Sequence, residues 1–234
     1  DGAADSWTDQ IQATAKVRDS GTEAFDIAIE SASGDAFLIW GDDAENLKYR
    51  QFTTSWDGSD NTAYTGLADD VLWLAAAYDP QATSSKIALA MVLNDNTFEF
   101  GAWDGTDWDA RPGTIDAPDK SNRFIDVAFE SDTGEAIYGF TQNVAADDKK
   151  RFAWRTWTSG GGFSSVDVLD GIYDEIKFVQ LKADPYSDDI MAVFADKAKD
   201  LHYRFWAGST WTALKGSLTD IGLSDEDKNE AFMF

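Results

Sequence analysis

Short apolar runs recur along the chain, and acidic or turn-forming residues bound each of them. Four of these runs end in an acid: FDIAIE (25–30), LAAAYD (74–79), IDVAFE (125–130) and FVQLKAD (178–184). A second apolar run follows each one after a short turn: AFLIW (36–40), IALAMV (87–92), AIYGF (136–140) and IMAVF (190–194). Such short runs favour strands that are buried on both faces, because helices need longer segments with a 3.6-residue period.

A third run in each unit alternates and reads apolar-x-aromatic-x-x-aromatic. It occurs as Leu47/Tyr49/Phe52, Phe98/Phe100/Trp103, Phe152/Trp154/Trp157 and Leu201/Tyr203/Trp206. A fourth, short and polar segment adds one aromatic residue, at Trp56, Trp108, Phe163 or Trp211, and Trp7 begins this series. These last aromatics are spaced by 49, 52, 55 and 48 residues, which predicts a tandem repeat of four strands in about fifty residues.

Four strands that grade from buried to exposed within one repeat are typical of a β-propeller blade. We therefore predict an all-β fold, with residues 1–234 forming a single β-propeller domain of four-stranded blades. The repeat units span about 25–69, 73–119, 124–172 and 176–223, with incomplete blades at 6–13 and 229–234. The partial units leave three alternatives: the chain is an excerpt of a longer array, which we favour, they form a fifth blade together, or they pair with a neighbouring subunit.

The repeat units alternate in type along the chain. Units one and three carry Glu-Ser-x-Ser/Thr-Gly-Asp/Glu-Ala, beginning at Glu30 and Glu130. Units two and four carry Asp79-Pro80 and Asp184-Pro185 at the same place. This two-unit period of about one hundred residues indicates that pairs of units were duplicated.

The composition excludes several classes of partner and chemistry. Forty-three acidic against 19 basic residues give a net charge of −24, which repels nucleic acid and anionic membrane surfaces. The chain has no cysteine, so thiol nucleophiles and thiolate metal sites are excluded. Its longest apolar runs fall well short of the roughly 20 residues of a membrane helix, so we predict no membrane-spanning segment.

Aromatic and arginine side chains that recur once per unit are the candidate ligand contacts. Indoles stack on sugar rings, and guanidinium groups bind hydroxyl-rich or anionic ligands. The candidate residues are Trp103, Trp157, Trp206, Arg50, Arg155 and Arg204. Packing between strands and blades also requires side chains that recur in every unit. We favour packing for the tryptophans and for the aromatic residues at the equivalent third-run position of each unit: Tyr49, Phe100, Trp154 and Tyr203.

Acidic turns are the only candidate metal sites. Asp104, Asp107 and Asp109 surround a glycine, and calcium is the one cofactor they suggest, although they do not fit the twelve-residue calcium loop. Solvated turn acids are the alternative interpretation. A single histidine, His202, rules out a His-rich zinc site, and we expect it to be solvated or salt-bridged.

The frame x-aromatic-Asp-Gly-x-x-Trp, as in 101–108, resembles the repeat of the fungal fucose-binding lectin propellers and the tandem Trp-Asp-Gly-rich repeats of bacterial and archaeal surface proteins. The resemblance covers about 25–223 and implies a propeller with a non-catalytic role. In the lectins a third-strand Glu and a second-strand Arg hold the sugar. Here the Glu position holds Tyr49, Phe100, Trp154 and Tyr203, and no second strand has an Arg. The fucose site is therefore not carried over.

These features predict a non-enzymatic, extracellular or cell-surface module for adhesion or recognition, with glycan as the ligand class. One alternative is a structural subunit of a surface filament or appendage that self-assembles through its terminal strands. Another is a glycan-processing hydrolase, because paired carboxylates alone can hydrolyse glycosides. The closest match to a sialidase Asp box, at 207–211, lacks its Asp.

Overall fold

All the regular elements that the structure describes are strands. The computed structural model describes Val17 and residues 22–144, 149–169, 176–198, 200–213 and 215–218. Blade one contains β1 (Phe25–Ile29), β2 (Ala36–Gly41), β3 (Leu47–Phe52) and β4 (Asn61–Tyr64). Blade two contains β5 (Val71–Tyr78), β6 (Ile87–Leu93), β7 (Thr97–Trp103) and β8 (Ile115–Asp116).

Blades three and four complete the described part of the chain. Blade three contains β9 (Ile125–Phe129), β10 (Ala136–Val144), β11 (Lys149–Thr158), β12 (Gly162–Phe163) and β13 (Asp167–Val168). Blade four contains β14 (Ile176–Ala183), β15 (Asp189–Asp196), β16 (Leu201–Ala207) and β17 (Lys215–Leu218). In every blade the strands pair antiparallel in chain order, and in blade three β12 and β13 both pair with β11. The predicted all-β fold with four-stranded blades is confirmed.

The first strands of the blades lie side by side around a common axis. β1 packs beside β5, β5 beside β9, and β9 beside β14. Between successive blades the facing side chains form three hydrophobic cores, one for each interface. The sheets therefore stack face to face around the axis, as propeller blades do.

The two strands of the β5–β6 hairpin show the burial that the sequence predicts, and β1 does not. Every residue of β6 is buried, as is the first part of β5. On β1, by contrast, Phe25, Ile27 and Ile29 are 52 %, 57 % and 49 % exposed. The expectation of burial on both faces is wrong for β1, because only its Asp26–Ala28 side faces blade two.

The recurring aromatic pairs close the hairpin between the third strand and the fourth segment of each blade. Isolated bridges join Phe52 to Trp56, Trp103 to Trp108 and Trp206 to Trp211, and β11–β12 pairing joins Trp157 to Phe163. The ring centroids of these four pairs lie 5.4, 5.5, 5.5 and 6.5 Å apart, respectively. Cross-strand contact between the rings stabilises each turn, which explains the periodic motif.

The predicted partial units at 6–13 and 229–234 lie outside the described residues. In the described part, no helix has the length and apolarity that crossing a membrane requires.

Candidate functional site

The three candidate tryptophans lie at interfaces between blades, and each indole donates to an acid of the preceding blade. Trp157 is buried, and its Nε1 lies 2.7 Å from Oδ2 of Asp109. Trp103 Nε1 donates to Glu30 at 3.0 Å, and buried Trp206 donates to Glu130. These side chains therefore hold neighbouring sheets together.

The three candidate arginines are buried, and Arg155 also contacts a ring of the preceding blade. Nε of Arg50 donates to Oδ1 of Asp60 at 2.6 Å, and Arg204 donates to the carbonyl of Thr212. Arg155 donates to the carbonyl of Ser164 and lies over the rings of Phe100 and Phe163, with its guanidinium carbon 5.5 and 5.2 Å from their centroids. Burial lowers the pKa of Arg155 below its ordinary value. The arginines thus connect the third strand to the outer segment of each blade.

The candidate calcium ligands do not converge in the structure. Oδ1 of Asp104 accepts bonds from the backbone of Thr106 and Asp107, which lowers the pKa of Asp104. Asp109 instead points to Trp157 in blade three. Asp104 and Asp109 bond to different partners, so their carboxylates do not point to one position that could hold a calcium ion.

Asp196, Asp200 and His202 form the one group of three potential metal-ligating side chains within the ranges described. Nε2 of His202 lies 2.8 Å from Oδ2 of Asp196, and Oδ1 of Asp196 accepts the backbone N–H of Asp200. In blade one, Lys48 and Asp42 occupy the equivalent positions and form an ion pair at 3.9 Å. An acid paired with a nitrogen-bearing side chain therefore closes the hairpin between second and third strands in both blades. His202 is buried, so the solvated alternative is wrong, and Asp196 is its carboxylate partner.

Two acids of the first strands, which the sequence analysis did not single out, connect adjacent blades. Oδ2 of Asp26 accepts the backbone N–H of Ala76 in blade two, and Oδ2 of Asp126 accepts that of Leu181 in blade four, both at 2.8 Å. Burial raises the pKa of Asp126, an effect that the nearby Arg123 opposes. The sequence signal for this role is an acid inside the apolar first run, which occurs in units one and three only, as Asp26 and Asp126.

A concave surface with mixed chemistry lies on the axis, between the first strands of all four blades. This axial pocket has a volume of about 460 Å³. The residues that line it and bear on its chemistry are Asp26, Tyr78, Arg123, Asp126, Gln180 and Lys182. The volume falls within the roughly 300–1,000 Å³ that is typical of small-ligand sites.

Aromatic and polar groups meet in the axial pocket. Tyr78 is 48 % exposed and contributes an aromatic side chain, while Gln180 and Lys182 of β14 contribute an amide and an ammonium group. Arg123 lies 3.3 Å from Glu23 and 4.0 Å from Asp126, so its charge is shared with two acids. An aromatic side chain and several hydrogen-bonding groups in one pocket suit a small ligand with both apolar and polar parts.

Three solved structures of lectins are similar to this chain in fold. A mutant of the Aleuria aurantia lectin in complex with Fucalpha1-6GlcNAc has a TM-score of 0.54 and 12 % identity, and the match covers 86 % of this chain and 63 % of that one. The SapL1 lectin in complex with alpha methyl fucoside has a TM-score of 0.51 and 18 % identity, with 83 % and 63 % covered. The BP39L lectin from Burkholderia pseudomallei has a TM-score of 0.55 and 14 % identity, with 83 % and 55 % covered.

These similarities establish the fold. The chain spans less than two thirds of the length of the lectins that it matches. No family model and no curated protein matches the sequence.

Proposed function

We propose that this chain is a non-enzymatic carbohydrate-recognition module that binds a glycan in the axial pocket. The observation that carries the proposal is a pocket of small-ligand size that half-exposed Tyr78 lines together with Gln180 and Lys182. Sugar rings present C–H groups on one face and hydroxyls around the edge, so a ring face with amide and ammonium donors suits them. The lectins of similar fold support the ligand class, although fold alone does not determine function.

The axial pocket replaces the tryptophans and arginines as our proposed ligand site. Trp157, Trp206 and all three candidate arginines are buried, whereas the axial residues face solvent-accessible space. The carboxylates of Asp26 and Asp126 already accept bonds from two backbone N–H groups each. We therefore assign them to blade packing, and the hydrolase alternative gains no support from the pocket.

We further propose that the module acts outside the cell or at its surface, in adhesion or recognition. The large negative charge suits a protein that stays soluble and does not bind nucleic acid. Binding of labelled protein to intact cells, with loss after enzymatic removal of surface glycans, tests this part. Assembly through the terminal strands stays a prediction, because residues 6–13 and 229–234 lie outside the described part of the chain.

A glycan array followed by calorimetry on the best ligand tests the carbohydrate proposal. We expect Tyr78→Ala and Gln180→Ala to weaken binding at least about tenfold, as loss of a central contact does. Tyr186→Ala is the matched control, because Tyr186 is 89 % exposed and does not line the pocket. A blank array would exclude glycan recognition, and full binding by both pocket variants would place the site elsewhere.

A further inference from the structure

His202 belongs to a series of ionisable residues that follow the first apolar residue of the third strand in three of the four blades. The position holds Lys48 in blade one, Glu99 in blade two and His202 in blade four. Lys48 forms an ion pair with Asp42, and Glu99 forms one with Arg111. In blades one and two, a positive and a negative side chain therefore balance each other at this position.

The hairpin between the second and third strands has the same backbone bonds in blades one and four. The N–H of Asp42 donates to the carbonyl of Asn46 at 2.9 Å, and that of Asp196 donates to the carbonyl of Asp200 at 3.1 Å. In return, Oδ1 of the first acid accepts the N–H of the second residue, at 2.9 Å in both blades. Asp196 and Asp200 therefore stand at the positions of Asp42 and Asn46.

Two residue differences within this shared hairpin change its charge. Acidic Asp200 stands where blade one has neutral Asn46, and the imidazole of His202 stands where blade one has the ammonium of Lys48. The blade-one set is neutral, whereas the blade-four set carries two negative charges, or one when the imidazole is protonated. In the part of the chain that the structure describes, neither acid of blade four has a lysine or arginine as ion-pair partner.

This excess negative charge lies in a largely buried place. The side chains of Asp196 and His202 are only 3 % and 8 % exposed. Buried charge is costly unless a counter-charge or a metal ion neutralises it. The blade-four set therefore needs more positive charge than its own side chains supply.

The three side chains are arranged as ligands of a single cation. One potential ligand atom of each lies within 4.8 Å of the other two, and Nε2 of His202 lies 2.8 Å from Oδ2 of Asp196. The ligand atoms of a tetrahedral zinc ion lie about 3.3 Å apart, because zinc–nitrogen and zinc–oxygen distances are about 2.0–2.2 Å. A side-chain shift of about half an ångström would thus admit an ion in place of the proton that Nε2 and Oδ2 share.

Hydrogen bonds and strand pairing orient these ligands in advance. The N–H of Asp200 occupies Oδ1 of Asp196, so Oδ2 is the oxygen that points to His202. His202 lies in the interior of the blade-four sheet, where its backbone pairs with Phe194 on β15 and Ser217 on β17. Ligands that the fold already holds in position lose little freedom when an ion binds.

The donor set favours a divalent transition metal over calcium or magnesium. Imidazole suits zinc and its neighbours in the first transition row, whereas calcium and magnesium prefer oxygen ligands alone. Three protein ligands leave a coordination position for water. His202 is the one histidine of the chain, which also has no cysteine, so zinc finds no other imidazole or thiolate ligand in this sequence.

We propose that Asp196, Asp200 and His202 bind one divalent transition-metal ion of the zinc class. The ion neutralises the two carboxylates and joins the ends of β15 and β16, as the ammonium of Lys48 joins β2 and β3 in blade one. None of the three residues lines the axial pocket, so the site is independent of the proposed glycan site.

NMR spectroscopy of the untagged 234-residue chain tests the proposal, because a single histidine gives one pair of imidazole ¹⁵N signals. We expect one equivalent of zinc, added to chelator-treated protein, to shift the Nε2 signal of His202. Calcium is the matched control for the general attraction of cations to a chain of charge −24, and it should leave the ring signals in place. Ring signals that zinc does not move, or that calcium moves equally, would overturn the proposal.

Exchange of the hairpin residues between blades provides matched variants. Asp200→Asn combined with His202→Lys gives blade four the residues of blade one, so we expect an unchanged circular dichroism spectrum and at least about tenfold weaker zinc binding by calorimetry. Asn46→Asp combined with Lys48→His makes the reverse exchange in blade one and should raise the zinc stoichiometry from one to two. Unchanged zinc affinity in the first variant, or a stoichiometry of one in the second, would overturn the proposal.

Discussion

Nε1 of Trp103 in blade two donates a 3.0 Å hydrogen bond to Oε1 of Glu30 in blade one, although 73 positions separate the two residues. The other carboxylate oxygen of Glu30 accepts the hydroxyl of Ser33 at 2.6 Å. Blades three and four repeat this arrangement, with Trp206, Glu130 and Thr133. The acid at the end of an odd blade's first strand therefore both orders its own turn and holds the next blade.

Truncation of this acid should destabilise the fold. Glu30→Ala leaves the Trp103 N–H and the Ser33 hydroxyl without their acceptor, so we expect a loss of about 1–3 kcal/mol in the free energy of unfolding. Urea denaturation followed by tryptophan fluorescence measures it. Glu23→Ala is the control, because that side chain is 56 % exposed and its surface ion pair contributes about 1 kcal/mol at most. Equal losses of unfolding free energy in both variants would show that the bond to Trp103 stabilises the fold no more than a surface ion pair does.

Trp108 should matter more for stability than the equivalent tryptophan of blade one. Its ring lies 5.5–5.6 Å from the rings of Tyr49, Tyr64 and Trp103. Trp108→Ala empties this cluster, and we expect a loss of about 3 kcal/mol or more. Trp56→Ala is the matched comparison, because Trp56 contacts one ring, that of Phe52. Unchanged melting of the Trp108 variant together with lost sugar binding would overturn the packing interpretation.

Gly101 should not tolerate a side chain. A Cβ at this position would lie 2.5 Å from the Tyr64 ring, whose hydroxyl accepts the Ala102 N–H at 3.1 Å. Gly101→Ala forces the ring away and should cost about 1–3 kcal/mol. Gly58→Ala is the control, since no atom lies within 4 Å of its added Cβ. Chemical denaturation of both variants checks the difference, and similar midpoints would contradict it.

Asp126 and Asp104 should affect stability with opposite dependence on pH. Burial raises the pKa of Asp126 above its ordinary 3.8, so its contribution is most favourable below that value and falls as pH rises through the raised pKa. Hydrogen bonds lower the pKa of Asp104, so its contribution is present above 3.8 and is lost as pH falls through the lowered pKa. As pH rises, the unfolding free energy of wild type should therefore fall relative to that of Asp126→Asn and rise relative to that of Asp104→Asn. Parallel curves would refute the assignment.

Periodicity was sufficient to predict the strands and their grouping into blades, because each unit repeats the same local pattern. The positions of Trp56, Trp108 and Trp211 identified the hairpins without any long-range information. The axial pocket was not predictable in this way. Tyr78 and Gln180 line the same pocket only because four separate strands converge on the axis, and neither residue stands out within its own strand.

The exposed side of β1 was also beyond sequence reasoning. FDIAIE reads like IDVAFE, in which every residue except Asp126 is buried. The two segments differ in what lies next to them, since β9 has blade two on one side and blade four on the other. Burial in a repeat array depends on neighbours, and no local pattern records that.

The alternation of blade types restricts how such an array can change length during evolution. Glu30 and Glu130 end the first strands of the odd blades, and Asp79 and Asp184 stand there in the even blades. Insertion of a single fifty-residue unit would bring two faces of the same type together, whereas insertion of a hundred-residue pair would preserve every contact. Viable relatives of this chain should therefore gain or lose blades in twos.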